Sequence, residues 1–478
     1  MFKDFKTKSS VKIYLPIILI GIILRDVFYS FNRPFWNDEC ALALNIADFN
    51  IMNCFKPLLY AQAAPPLFLV ISGVFAKIIP SVEGALRLFP LFLSVLSIFV
   101  FYDLSKRVLS KKSSIFLALI LFCFNYRLVY YSQEFKQYSS DVLVFLSLLT
   151  SYFYIKIKNT EVKNLLLIGS GYAISIWLSF TSVFALFAVF CTLFFKKKNE
   201  YKKIFILFLP VIISFVCFYL LQHHLASSAE LHTYWQNGFI AKNFSNFYLL
   251  VVNYFSYSFT FIVIFFSFLI ALALKLFDIK SEKTLILLFP VITAVVLSYA
   301  HIYPLESRVS LYLIPICILF AASILDYVNF KHRAVNYILY FVIVLFLALP
   351  TVINTTYKLA LKDFDKEDIV SPLNMAQSMI KEGDVLYIPD GSTISYLFYK
   401  KNYNFKNVEY EKLRINDSAE YIKYLDSLPK NKTYYYIYSH FPQKQQRLND
   451  VYLWAKNKPN FKIYADKYSN ALIVFTKS

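Results

Sequence analysis

Eleven mostly apolar stretches run through residues 11–353 of this 478-residue chain: 11–30, 85–105, 113–130, 141–156, 163–179, 181–195, 204–222, 252–275, 283–300, 308–327 and 335–353. A helix crosses the hydrocarbon of a bilayer with about 20 such residues, because backbone polar groups find no partner in lipid and must bond to one another. Charged residues make up only 17% of the chain, against about 25% in soluble domains. The expected fold is therefore mostly α, a polytopic membrane helical bundle of about eleven spans. A soluble globule and a disordered chain are both excluded. The start, basic at Lys3, Lys6, Lys8 and Lys12 and then apolar from Val11 to Ser30, reads as an uncleaved first span.

Charge parity sets the expected sidedness. Residues 1–353 hold 30 Lys+Arg and 16 Asp+Glu, and 354–478 hold 19 and 14. In the first part the basic residues cluster between apolar runs, which is a positive-inside pattern rather than a nucleic-acid stripe. Six dense clusters, at the N-terminus, 106–112, 156–163, 196–203, 275–283 and 331–333, fall on one face only if Pro65–Ile79 does not cross. That stretch is short, opens with Pro65-Pro66 and contains Lys77, so it reads as an interfacial or re-entrant juxtamembrane helix. The 31–84, 131–140, 223–250 and 301–307 loops and the C-terminal tail are then expected outside the cytoplasm.

The chain divides, on this reading, into a membrane domain at 1–353 and a small extracytoplasmic α/β domain at 354–478. A polar linker is expected at 354–370. After it come a helix from Ser371-Pro372 ended by Gly383, a strand at 384–388, a turn at Pro389-Asp390-Gly391, and a helix at 392–401. A helix after Asp417, a strand at 433–438, a helix at 443–456 and strands at 461–465 and 471–475 complete it. With eight glycines in all, and with Gly169-Ser170-Gly171 lacking a third, there is no nucleotide fingerprint.

Charged side chains beside spans are costly and usually face a cavity. The expected outer ends collect Asp38 and Glu39 after the first span; Arg87 at the opening of the second; Gln133, Glu134, Lys136, Tyr138 and Asp141; and His301, Glu306 and Arg308. A carboxylate there suits general-base work on a hydroxyl, and arginine suits phosphate. Without a nucleotide loop, a lipid-linked phosphate is the natural donor. Asp38 would activate the acceptor, and Arg308 with Lys136 would hold the departing phosphate.

Plainer readings stand beside these. Asp38-Glu39 also reads as a solvated helix start, Asp141 as a first-turn acid, Arg87 and Arg308 as snorkelling residues, and Arg25-Asp26 as a local ion pair. Cys40 and Cys54 share a loop and form a disulfide candidate. His223, His224, Glu230 and His232 match no standard zinc spacing; no cofactor is assigned, and a divalent metal is left open.

The order Arg33-Pro-Phe-Trp-Asn-Asp38-Glu39, Ala64-Pro65-Pro66-Leu67-Phe68, Glu83-Gly-Ala-Leu-Arg87-Leu-Phe-Pro90 and Tyr131-Ser132-Gln133-Glu134-x-x-x-Tyr138 resembles the GT-C integral-membrane glycosyltransferases. In particular it is similar to bacterial relatives of protein O-mannosyltransferase and of lipid A aminoarabinose transferase. The resemblance implies a catalytic acid in the first outer loop, which lands on Asp38 with Glu39 beside it. It also implies a polyprenyl-phosphate sugar donor, an extracytoplasmic hydroxyl acceptor, an inner-membrane location and inversion by single displacement. Where family members often have Arg-Tyr in the late outer loop, this chain has Arg308-Val309. A transporter or flippase of lipid-linked sugars is the main alternative; it would favour broken helices in paired halves.

Overall fold

The computed structural model describes residues 8–79, 81–226, 238–239, 281–305, 308–329, 331–361, 367–411, 417–439, 445–465 and 470–477. The expected span 252–275, Glu306, Glu230 and His232 lie outside these residues, as does most of the 223–250 loop. The chain forms two compact units: residues 1–31, 50–57 and 63–363 make one, and 32–49, 58–62 and 364–478 make the other.

In the first unit every expected span that is described falls on a helix. Among the described residues five helices are long and apolar enough to cross a membrane, at Lys12–Ser30, Val82–Val108, Lys198–Gln222, Glu282–Tyr299 and Ala334–Leu361. Lys112–Cys123 and Tyr126–Gln133 make a sixth if they count together, and they are bent by 51°. The remaining apolar helices are shorter, so the structure supports a multi-pass membrane protein without fixing the count at eleven. Pro66–Ile78 has 13 residues, which at the α-helical rise is about 20 Å and falls short of the hydrocarbon thickness of about 30 Å. Outward-facing apolar side chains such as Phe341 (68% exposed) and Leu220 (64%) are what a lipid-facing surface presents.

The break at Phe124–Asn125 replaces the single span expected at 113–130. Each end of the helix Lys112–Cys123 is held by a residue from far along the chain. At its start the Asp326 carboxylate accepts from the amides of Ser110 (3.0 Å) and Lys111 (2.8 Å) and from the Ser114 hydroxyl (2.6 Å). At its end the Cys123 carbonyl accepts from Arg25 (3.4 Å), and the Phe124 carbonyl accepts from the Thr355 hydroxyl. Acid at the N-terminus and base at the C-terminus is the arrangement the helix dipole favours. Asn125 then caps the next short helix through the Leu128 amide (3.2 Å). Elsewhere Gly169 explains itself: a Cβ there would collide with the Leu207 carbonyl, so its helix packs backbone-close against Tyr201–Ala226. The final helix, Arg333–Leu361, continues eight residues into the stretch expected as linker.

The second unit is built on a five-stranded sheet with strands β1 (Val385–Ile388), β2 (Val408–Tyr410), β3 (Lys432–Tyr438), β4 (Lys462–Ala465) and β5 (Ala471–Lys477), in the order β2-β1-β3-β5-β4. β1 pairs in parallel with β2 and β3, and β5 runs antiparallel to β3 and β4. Buried Tyr387, Tyr434, Tyr436, Ile473 and Phe475 form the core with helices Ser418–Asp426 and Gln445–Ala455. Burial pushes the Tyr387 hydroxyl well above its ordinary titration range.

Strand β2 was not expected. It has three residues, all partly or fully exposed, so no alternation marks it. Pro389-Asp390-Gly391 is not a turn; Pro389 precedes the helix Asp390–Tyr399, whose first residues are Asp390 and Gly391. The helix expected from Ser371 runs Val370–Met379 and is capped by Asp368, whose carboxylate accepts from the Val370 amide (2.8 Å) and the Ser371 amide (3.2 Å).

Candidate functional site

The acidic pair lies in the second unit, on the helix Asn37–Leu44. The helix begins when the Trp36 carbonyl accepts from the amides of Glu39 and Cys40, both at 3.0 Å. Adjacent helical residues point about 100° apart, and the two acids have different surroundings. Glu39 is fully buried and its Oε2 lies 2.8 Å from Arg33 Nη1. Asp38 is half-buried. A solvated helix start therefore does not describe Glu39. Nothing in the sequence around Arg33 marks it as the partner of Glu39. A non-helical segment through Pro34 and Phe35 joins it to the helix of Glu39, and no periodicity signals a pair six residues apart across such a junction.

The other basic and polar candidates lie in the first unit, where the 132–141 segment is buried throughout rather than being an open polar loop. Arg87 is 1% exposed. An aromatic cluster ties its helix to this segment. Phe135 stacks on Phe68 at 5.9 Å, and Phe68 lies 5.7 Å from Phe89, two residues beyond Arg87. These contacts pack the helix Val82–Val108, which carries Arg87, against the segment that holds Gln133, Glu134, Lys136 and Tyr138. The local backbone is set by the Lys136 amide on the Glu134 carbonyl (2.7 Å) and by the Ser139 hydroxyl on the Tyr131 carbonyl (3.0 Å). Gln137 Nε2 donates to the Ala63 carbonyl at 3.4 Å, and Gln133 Nε2 is buried with no acceptor among the described residues.

Asp141 accepts the Ser179 hydroxyl at 2.6 Å, and Ser140 donates to the Leu178 carbonyl at 2.8 Å. Together they hold the junction between helices Val162–Leu178 and Ser182–Lys196. Ser179 is the partner sequence reading missed. Arg308 is half-buried in a turn beside Val309, whose carbonyl accepts from the Tyr303 hydroxyl at 2.8 Å.

The reading of Arg25-Asp26 as a local ion pair changes. Arg25 is fully buried and Asp26 is exposed, and no ion pair joins them. Arg25 instead donates from Nε to Ser94 Oγ and from Nη1 to the Gly21 carbonyl, both at 2.8 Å. Cys40 and Cys54 are separate free thiols, and burial raises the Cys54 pKa. Among the described residues one broken helix occurs, the bent pair Lys112–Cys123 and Tyr126–Gln133. No group of three or more His, Cys, Asp or Glu residues suited to a metal ion occurs among the described residues.

The profile of the family described as Dolichyl-phosphate-mannose-protein mannosyltransferase matches residues 63–222. ArnT from Cupriavidus metallidurans in the apo state has a similar fold, with a TM-score of 0.57 and 11% identity over 98% of each chain. A second structure, of ArnT from the same organism bound to undecaprenyl phosphate, gives a TM-score of 0.57 and 12% identity over 98% of each chain. No curated protein sequence matches the chain. Profile, fold and motifs agree that the chain resembles the GT-C integral-membrane glycosyltransferases.

Proposed function

We propose, starting from this GT-C likeness, that the chain is a membrane glycosyltransferase that moves a sugar from a polyprenyl-phosphate donor to a hydroxyl acceptor outside the cytoplasm. The observation that carries the reading is a fold shared over 98% of both chains with a protein crystallised with undecaprenyl phosphate. The acceptor class is a glycan, a lipid or a protein. The membrane domain is assigned to the inner membrane, with eleven spans and with the acidic helix and C-terminal domain on the extracytoplasmic side.

In this reading Asp38 takes the proton of the acceptor hydroxyl. The acceptor oxygen then bonds to the anomeric carbon as the bond from that carbon to the phosphate oxygen breaks. The polyprenyl phosphate leaves with the electron pair, and the sugar carbon inverts. Glu39 is occupied by Arg33 and serves to orient the helix, which supports giving the two acids separate roles. Arg87, Lys136 and Arg308 are the cations assigned to the phosphate, since charge developing on a leaving group is best met by groups already in place. Gln133, Glu134, Tyr138, Asp141 and Glu306 are assigned to substrate binding. A divalent metal would add to the phosphate charge balance without replacing any of these residues.

The break at Phe124–Asn125 is the one observation that favours a transporter of lipid-linked sugars. Wild-type and Asp38→Asn chains in vesicles, given a panel of undecaprenyl-phosphate sugars that includes mannose and aminoarabinose, separate the two readings. Sugar transfer or donor cleavage by wild type, lost in a folded Asp38→Asn chain, supports the transferase. Donor movement across the bilayer without cleavage supports the transporter.

A further inference from the structure

The helix bearing Asp38 has eight residues, and an isolated helix of two turns is not stable in water. Its N-cap residue, Trp36, makes no side-chain cap. The missing support comes from residues more than 320 positions away, all in the same unit. The Asn37 amide, the first of the helix, donates to the Glu367 carboxylate at 3.4 Å, which puts a negative charge at the positive end of the helix. The Phe35 amide donates to the Tyr399 hydroxyl at 2.7 Å. Ser395 Oγ donates to Asn37 Oδ1 at 3.2 Å, and the Phe35 and Phe398 rings lie 5.4 Å apart.

Tyr399, Phe398 and Ser395 all belong to the helix Asp390–Tyr399, which follows β1 directly. A β-sheet core therefore sets where this helix lies. Asp38 sits between two fixed neighbours: Asn37 is held by Glu367 and Ser395, and Glu39 by Arg33. A base must meet its proton within hydrogen-bond reach, so fixing the residues on either side fixes the reach of Asp38.

We propose that the C-terminal α/β domain positions the catalytic base, with Tyr399 and Ser395 as the positioning residues, an inference that rests on the reading of Asp38 above. The domain is thus part of the machinery for the chemical step, whatever else it contacts.

The test uses the full chain in nanodiscs, comparing wild type, Asp38→Asn, Tyr399→Phe and the double variant Tyr399→Phe/Ser395→Ala. Turnover of the undecaprenyl-phosphate sugars is measured together with amide hydrogen exchange of a peptide covering 33–40 and, as a fold control, one covering β3. A displaced base lowers kcat by about 100-fold in the double variant while KM for the donor stays within about twofold. Exchange in 33–40 accelerates about tenfold and β3 is unchanged. Wild-type kcat in the double variant, with Asp38→Asn inactive, overturns the positioning role and leaves the base assignment standing. If Asp38→Asn is fully active, the base assignment fails instead, and exchange alone decides. Acceleration confined to 33–40 supports a domain that holds this helix, and unchanged exchange overturns it.

Discussion

Arg33 and Arg25, two of the three arginines buried among the described residues, are compensated by opposite strategies. Arg33, in the second unit, has a carboxylate at 2.8 Å. Arg25, on the first membrane helix, has the Ser94 hydroxyl and two backbone carbonyls, with no acid in ion-pair reach among the described residues. The Cys123 carbonyl at its side closes a helix, so part of the compensation is the negative pole of that helix. The Phe122 ring, 5.8 Å from the guanidinium carbon, adds a further weak attraction. A buried ion pair fixes one geometry but strands a charge when one partner is lost. Solvation by carbonyls and a hydroxyl leaves no stranded carboxylate when the arginine is removed. The first arrangement is therefore brittle and serves orientation, while the second tolerates loss of the charge.

That contrast orders four outcomes. The largest lies beside the Arg33 pair. Asp38→Asn keeps the size of the side chain but cannot accept a proton, so kcat is expected to fall about 1,000-fold, with thermal unfolding in detergent unchanged. Glu39→Leu comes next, since it leaves Arg33 buried without its carboxylate. It should destabilise by about 3–5 kcal/mol, most of it recovered in Arg33→Met/Glu39→Leu. A double variant no more stable than the single would break the account of this pair.

Ser94→Ala is expected to cost about 1.5–3 kcal/mol, because it leaves the Arg25 Nε buried and unmatched. Arg25→Met should be the mildest, at about 1 kcal/mol, because it removes the charge and its need for partners together. The unfolding midpoints of these two variants decide the matter. If Arg25→Met proves as damaging as Glu39→Leu, the two arginines do not differ in the way described.

Much of this was legible from one-dimensional pattern. The apolar runs placed the described spans on helices, since 3.6-residue periodicity and apolar length are local properties. Asp417 announced the helix Ser418–Asp426, whose cap it forms through the Glu420 amide at 2.8 Å. The Pro65-Pro66 opening marked the start of the short helix Pro66–Ile78. Other features had no local signal. Strand β2 is too short and too exposed to alternate. The bend after Cys123 follows from what Asn125, Arg25 and Thr355 bond to, and nothing in the apolar run 113–130 distinguishes a continuous helix from a broken one. At the candidate site, the sequence marked the residue types at positions 38, 39, 87, 133, 134, 136 and 308 but could not say which were buried.

The sequence by itself determined that this chain belongs in a membrane, where its apolar helices run, and that acids and bases gather near span ends. These follow from transfer energies and capping chemistry, which act over a few residues. Only the tertiary structure decided that Glu39 is spoken for by Arg33, that Asp141 ties two helix ends through Ser179, and that the short acidic helix is held by Tyr399, Ser395 and Glu367. Such partners meet because the chain returns to the same place after tens or hundreds of residues. Which carboxylate is neutralised then depends on that return, and no local pattern encodes it.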